Sequence, residues 1–242
     1  MAAHKKYTCD DVRMAFSHEK KLDEKHNQWL AYVFLRPLSF RISAFLLNFR
    51  ITPNQLGSIS LLFCFALPLV CLLPADTAFV IFGLSVCALY LLDCVDGDMA
   101  RASCKVSVTG HYLDFITDVI FRISAYLALA LIIYWNPEFT QNSLYWAYCL
   151  GAAWLTTAAR LSRVYAKLLQ KADEEVYART RKETYGWFDY VFYTISSLDQ
   201  VLPIFILSMV FFTNIDWLVW WIFIYAVIDF VFTQYSIFKG LK

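Results

Sequence analysis

Long apolar runs separated by short polar connections dominate the chain. In order they cover approximately residues 55 to 74, 77 to 98, 107 to 134, 144 to 169, 187 to 212 and 216 to 238. Each is near the ~20 residues that cross roughly 30 Å of hydrocarbon at ~1.5 Å per residue, so the pattern predicts six transmembrane helices. Ahead of them the periodicity changes. From Arg36, the residues Leu38, Ile42, Phe45, Leu46 and Phe49 recur at helical spacing while Arg41, Ser43, Asn48 and Arg50 take other faces. That stripe predicts a cytosolic amphipathic helix lying in the membrane interface and opened by Pro37; the alternative is a helix packed on a soluble core. Thr52-Pro53-Asn54 reads as the start of the first span, with Thr52 as cap and proline at the first helical position. Residues 1 to 35 carry mixed charges and predict a solvated helical segment, and the charged stretch from Gln170 to Gly186 predicts an exposed extension of the fourth helix. The expected fold is an all-α integral membrane protein, with 1–52 as a cytosolic N-terminal segment and 53–242 as one six-helix transmembrane domain.

Composition agrees. Hydrophobic residues make up 60% of the chain and charged ones 17%, with a mean hydropathy of +0.50, well above the roughly 45–50% apolar usage of soluble domains. A soluble enzyme is excluded on these grounds, and no nucleic-acid motif is present. The net charge of +1 hides an uneven distribution. If both termini share a compartment, every Lys and Arg except Arg122 falls on or near one side, and the connections at 74–77, 136–143 and 213–216 contain none. The positive-inside rule then predicts that both termini are cytosolic. The expected membrane is the inner membrane in a prokaryote, or the endoplasmic reticulum or an organelle in a eukaryote. The first span is expected to serve as insertion signal, with no cleavable signal peptide ahead of it. The seven cysteines form no C-x-x-C pair and are expected to make neither disulfides nor a metal site. Aromatic residues near span ends, Tyr185, Trp187, Tyr190, Trp217, Trp220 and Trp221, read as interfacial belts.

Candidate chemistry concentrates where the second span ends and the third begins. Asp93 and Asp96 are i, i+3 neighbours, Asp114 and Asp118 are i, i+4 neighbours, and a short hairpin lets the two pairs face each other. Four carboxylates at the edge of a low-dielectric bundle cannot all stay ionised without cations. Two Mg²⁺ or Mn²⁺ ions would resolve that conflict, and such ions commonly hold substrate phosphates as well. Gly97, Ala100 and Gly110 lack bulk on or near the same surface, which suits either close approach of a nucleotide or simple helix packing. Arg101 offers a fixed cation to a phosphate or to a carboxylate partner.

These residues resemble the signature of the CDP-alcohol phosphotransferase family, D-x2-D-G-x2-A-R-x8-G-x3-D-x3-D. Every fixed position is met, by Asp93, Asp96, Gly97, Ala100, Arg101, Gly110, Asp114 and Asp118. The likeness extends to the six spans, the interfacial helix and the Pro53-Asn54 pair. It implies transfer of a phosphoalcohol group from a CDP-alcohol to the hydroxyl of a second alcohol, with release of CMP. It also implies metal ligation by Asp93, Asp96 and Asp114, with Asp118 as general base close to the metals. Contacts to the CDP portion would come from Asp93, Asn54, Gly97, Ala100, Arg101 and Gly110, and the protein would be a homodimer. Asp98 is extra to the signature and is expected to face solvent.

Four residues beyond Asp118 stands Arg122, an intramembrane arginine that either pairs with Asp118 or binds an anionic group of the acceptor. Arg160 and Arg163, near the cytosolic end of the fourth span, lie where family members with phosphorylated acceptors also carry arginines. Together these three favour a phosphate-bearing acceptor such as glycerol 3-phosphate or inositol phosphate, with CDP-diacylglycerol as donor. Snorkelling to headgroups is the competing role for Arg163 and Arg160. Asp199, Asp229 and Gln234 are left with two readings, as partners of the arginines or as cavity lining. Two other functions stay open: a CDP-choline or CDP-ethanolamine phosphotransferase acting on a lipid hydroxyl, and an ion-coupled transporter.

Overall fold

The computed structural model describes residues 6–27, 31–137, 142–177 and 215–240, and the regular elements among them are all helical. Cys9–Met14 (α1) starts in a capping box, Thr8 Oγ1 accepting the Asp11 amide at 3.2 Å and Asp11 Oδ2 accepting the Thr8 amide at 2.8 Å. His18–Asn27 (α2) follows, and a π-helical turn, Ala31–Leu35, leads into Arg36–Asn48 (α3).

The buried positions of α3 are Arg36, Ser39, Phe40, Ser43, Ala44 and Leu47, a helical stripe that is largely small and polar. Leu38, Phe45 and Phe49 are exposed instead. Small side chains let the helix sit closely on its neighbour, with Ser43 Oγ donating to the Val95 carbonyl at 3.2 Å. The apolar stripe read from the sequence is therefore largely the outward face, which is the face an interfacial helix gives to lipid.

Pro53–Ala66 (α4) continues through a 3₁₀ segment, Leu67–Leu72. Its start matches the sequence reading, with Thr52 and Gln55 forming a capping box and Pro53 in the first turn. Ala75–Ala102 (α5), Val108–Trp135 (α6), Tyr145–Tyr177 (α7) and Asp216–Gly240 (α8) complete the described helices. Among the described residues four stretches are long and apolar enough to span a membrane: Pro53–Leu72, Ala75–Ala102, Val108–Trp135 and Asp216–Lys239. They coincide with the first, second, third and sixth expected spans, and they make the chain a multi-pass membrane protein. The fourth expected span lies in α7, which runs on to Tyr177 but is too polar to join that set. The fifth, 187–212, lies outside the described residues, as do Asp199, Tyr185, Trp187 and Tyr190.

Two helix ends bring the site together. α3 stops in a Schellman turn, with Arg50 at φ 63° and the Ile51 amide bonded to the Leu46 carbonyl at 3.2 Å. α5 stops the same way, with Cys104 at φ 53° and the Lys105 amide bonded to the Ala100 carbonyl at 3.0 Å. Glycine usually holds this left-handed position, and here two side-chain-bearing residues do. The second turn needs only residues 103–107 to reverse the chain, and Ser107 then caps α6 by accepting the Gly110 amide at 3.0 Å. The carboxylates at the end of α5 are thereby set opposite those at the start of α6.

The core is apolar and runs through α4, α5, α6, α7 and α8, with Phe82, Leu129, Ile132, Leu218 and Ile222 among its fully buried side chains. A second cluster, including Val12, Phe40, Leu47, Leu56, Val95 and Met99, seats α1 and α3 on α4 and α5. α7 and α8 are joined by polar contacts as well. Arg163 donates to both carboxylate oxygens of Asp229, at 2.7 and 3.1 Å, and to Thr233 Oγ1 at 3.3 Å, while Gln234 donates to Ser162 Oγ at 3.1 Å. Asp229 is 2% exposed, so its charge depends on that fork. Replacing Asp229 with alanine strands the Arg163 guanidinium and is expected to cost about 3 kcal/mol. A melting curve in detergent checks this, and an unchanged midpoint would show that the pair adds nothing to α7–α8 packing.

Candidate active site

Asp93, Asp96, Gly97, Ala100 and Arg101 lie in the last three turns of α5, and Gly110, Asp114, Asp118 and Arg122 occupy the first four of α6. The four aspartates are electrostatic neighbours across the two helices. Asp93 lies in the field of Asp114 and Asp118, and Asp96 in that of Asp93 and Asp114. Asp93 and Asp114 are open to the surface while Asp96 and Asp118 are half-buried, so the group forms a cleft rather than a sealed cavity. Carboxylates that face one another repel, and a cation between them would relieve that repulsion.

Among the described residues no three His, Cys, Asp or Glu groups stand close enough to form a ready-made cation cage. The chemistry of the donors nevertheless fits a hard divalent ion, because the facing helices supply carboxylate oxygens and no imidazole. A cavity of about 350 Å³ opens beside this constellation rather than over it, lined by Arg50, Thr52, Pro53, Ser103 and Lys105 among others and by none of the four aspartates.

The two glycines of the signature have separate neighbours. A Cβ on Gly97 would stand 3.2 and 3.3 Å from the Arg101 Nη atoms, so the guanidinium lies directly on the bare helix there. A Cβ on Gly110 would stand 3.1 Å from Asn54 Oδ1 and 3.2 Å from Ser107 Oγ. Ser107 Oγ is itself 3.4 Å from Asn54 Oδ1, so Asn54, Ser107 and Gly110 make one tight junction between α4 and α6. Sequence reasoning found Asn54 and Gly110 but not Ser107.

All three candidate acceptor arginines face carboxylates. Arg122 Nη2 lies 3.2 Å from Asp118 Oδ1. Arg160 Nε lies 2.7 Å from Asp118 Oδ2, yet its N–H is not aimed at that oxygen, leaving both atoms buried without a hydrogen bond. Arg122 and Arg160 thus converge on one carboxylate. Arg163 does not join them, being held by Asp229.

Asp98 corrects its sequence reading. It is 1% exposed, not solvent-facing. Its Oδ1 accepts from Arg36 Nη1 at 2.9 Å and Arg101 Nη2 at 2.6 Å, and its Oδ2 accepts from Ser39 Oγ at 2.7 Å. Arg36 also donates to both oxygens of Glu24 and to the Cys94 carbonyl at 3.2 Å. Burial opposes the Arg36 charge, but the Glu24 hydrogen bonds and the fields of Cys94, Asp98 and Glu24 outweigh it and raise its pKa above that of a free guanidinium. The Phe16 ring lies 4.9 Å from the Arg36 guanidinium carbon and 5.6 Å from that of Arg101. One signal for this group was available in the sequence, because Asp98 stands two residues from Asp96 and so falls on the opposite side of the helix.

The sequence profile of the family described as CDP-alcohol phosphatidyltransferase matches residues 50–179, which includes the whole constellation. The chain belongs to that family. It is also similar to the protein named "Bifunctional IPC transferase and DIPP synthase" of Archaeoglobus fulgidus, at 36% identity over 103 residues. The match covers 43% of this chain and 19% of that relative's length. Family membership places the chain among CDP-alcohol phosphotransferases.

The two glycine environments differ enough to be tested. Gly110→Ala is expected to insert normally but to lower turnover by about tenfold or more, because it displaces Asn54 and Ser107 by tenths of an ångström at the site. Gly57→Ala is the packing control, since its Cβ would meet Leu113 at an ordinary 3.6 Å. Equal turnover in the two variants would remove the Asn54–Ser107–Gly110 junction from the active site.

Proposed function

We propose that the chain transfers a phosphatidyl group from CDP-diacylglycerol to the hydroxyl of a phosphate-bearing alcohol of the glycerol 3-phosphate or inositol phosphate type, releasing CMP. The observation that carries this reading is the convergence of two arginines, Arg122 and Arg160, on Asp118, next to the other aspartates of a complete family signature. An acceptor with both a phosphate and a hydroxyl would place the first on those guanidinium groups and the second beside the Asp118 carboxylate. Asp118 takes the hydroxyl proton as the new oxygen–phosphorus bond forms and the bond to CMP breaks. Asp93, Asp96, Asp114 and Asp118 would hold Mg²⁺ or Mn²⁺. Bound there, two ions would neutralise charge on the pyrophosphate oxygens. Asn54, Gly97, Ala100, Arg101 and Gly110, with Asp93, would contact the CDP portion. The positive-inside pattern supports a cleft opening to the cytosol with both termini on that side, in the inner membrane or the endoplasmic reticulum or an organelle, and the family supports a homodimer.

A second reading has its own support. Arg122, Arg160 and Arg163 are all matched by carboxylates within the chain, as expected if they serve structure and the acceptor is a lipid hydroxyl receiving phosphocholine or phosphoethanolamine. Membership of a transferase family sets the transporter reading aside.

The deciding measurement is CMP release by the purified protein, offered CDP-diacylglycerol, CDP-choline and CDP-ethanolamine with phosphorylated and plain alcohols. Release is expected with CDP-diacylglycerol and a phosphorylated acceptor, and removal of divalent ions with EDTA is expected to abolish it until Mg²⁺ or Mn²⁺ is restored. Release only with a lipid alcohol would replace the first reading by the second. Asp96→Asn should reduce turnover by roughly 10³-fold or more while leaving membrane insertion intact; wild-type turnover in that variant would sink the metal assignment. Arg122→Ala and Arg160→Ala should raise the acceptor KM by about tenfold with little change in the donor KM, and unchanged kinetics would take both residues out of the acceptor site.

A further inference from the structure

Four charged side chains, three of them buried and the last partly so, form a continuous line from the N-terminal segment to the signature helix. Glu24 is 2% exposed at its side chain, Arg36 7%, Asp98 0% and Arg101 23%. Two acids alternate with two bases, so the line is neutral as a whole, and breaking it anywhere strands a charge. Its last member is the one the signature places at the donor. The Arg101 guanidinium is confined on three sides, by the Asp98 carboxylate at 2.6 Å, by the Phe16 ring, and by the bare backbone of Gly97 beneath it. Its Nε is buried and has no hydrogen-bond partner, so one donor of the fork is unused.

We infer that Asp98 is a positioning residue for the CDP-alcohol donor: it fixes the Arg101 guanidinium in the orientation that meets the donor, and is itself fixed by Arg36 and Ser39 of the interfacial helix. This rests on the reading that Arg101 contacts the donor. An arginine on a free stem loses rotamer entropy when it engages a phosphate, whereas one already forked to a buried carboxylate has lost it during folding. Asp98 has no spare freedom of its own, because Oδ1 takes both guanidinium groups and Oδ2 takes the Ser39 hydroxyl. Helix α3 thereby acts on the donor site through two hydrogen-bonded links without touching it.

The test is steady-state CMP release by the full chain in lipid nanodiscs, with the donor and acceptor KM measured separately for wild type, Asp98→Asn and Phe16→Leu. Losing a charge-assisted hydrogen bond at Arg101 should raise the donor KM of Asp98→Asn about tenfold or more while the acceptor KM stays within about twofold. Phe16→Leu removes the ring from both guanidinium groups without stranding a charge, and should raise the donor KM by about two- to fivefold, again without moving the acceptor KM. If Asp98→Asn does not give a monodisperse protein, Phe16→Leu decides alone. An unchanged donor KM in the folded variants, or a parallel loss in both KM values and kcat, overturns the inference while leaving the proposed reaction standing. Absence of CMP release by the wild type with every CDP-alcohol overturns the proposed reaction and this inference together.

Discussion

Carboxylates inside an apolar helix bundle must be compensated, and much of the polar architecture follows from that requirement. Asp93, Asp96, Asp114 and Asp118 occupy neighbouring turns of α5 and α6, Asp93 and Asp114 open to the surface and Asp96 and Asp118 half-buried. The protein answers one of them with its own cations, drawing Arg122 and Arg160 to Asp118. Asp93 and Asp114 repel each other, and the field of Arg36 acts against that repulsion at Asp93. Uncompensated charge at one end of the group and compensated charge at the other divides the cleft into a region suited to cations and a region suited to an anion. That division would suit the diphosphate donor and phosphorylated acceptor proposed above.

The same rule orders the far side of α5. Asp98 is two residues from Asp96, so the turn that presents one carboxylate to the cleft drives the other into protein. There it would be intolerable unpaired, and the N-terminal segment supplies the answer with Arg36, whose own excess charge is met by Glu24. Residues before the first span are thus bound to the signature by electrostatic necessity as well as by the cluster around Phe40 and Met99.

How much of this was legible in the sequence depended on the range of the interaction. Short-range rules worked: the Thr52 cap, the Pro53 helix start and the start of α6 follow from spacing within a few residues. The amphipathic stripe from Leu38 to Phe49 was read with its apolar face toward lipid, and that face is largely the exposed one, because the opposite stripe of Ser39, Ser43 and Ala44 is small enough to pack on α5. Long-range pairing was not legible. Arg163 and Asp229 are separated by 66 residues and Arg36 and Asp98 by 62, and no periodicity connects either pair. Asp98 was misread because a carboxylate beside a turn ordinarily faces water; the geometry of the helix it shares with Asp96 argued otherwise.

The pairing of the arginines bears on how an acceptor could enter. Asp118 meets two cations through unequal bonds: Arg122 makes an aligned hydrogen bond, whereas Arg160, 38% exposed at its side chain, stands close without one. An ion pair lacking a hydrogen bond has spent desolvation without its directional return. If the acceptor carries a phosphate as proposed, Arg160 is the partner it would detach at least cost, since the unused N–H of Arg160 could be satisfied by a phosphate oxygen while Arg122 stays with Asp118. Arg163, forked to both oxygens of a buried carboxylate, has no comparable reason to leave. On energetic grounds the three arginines are unequal: the loosely held one is suited to recognition, the forked one to joining α7 and α8, and Arg122 stands between them.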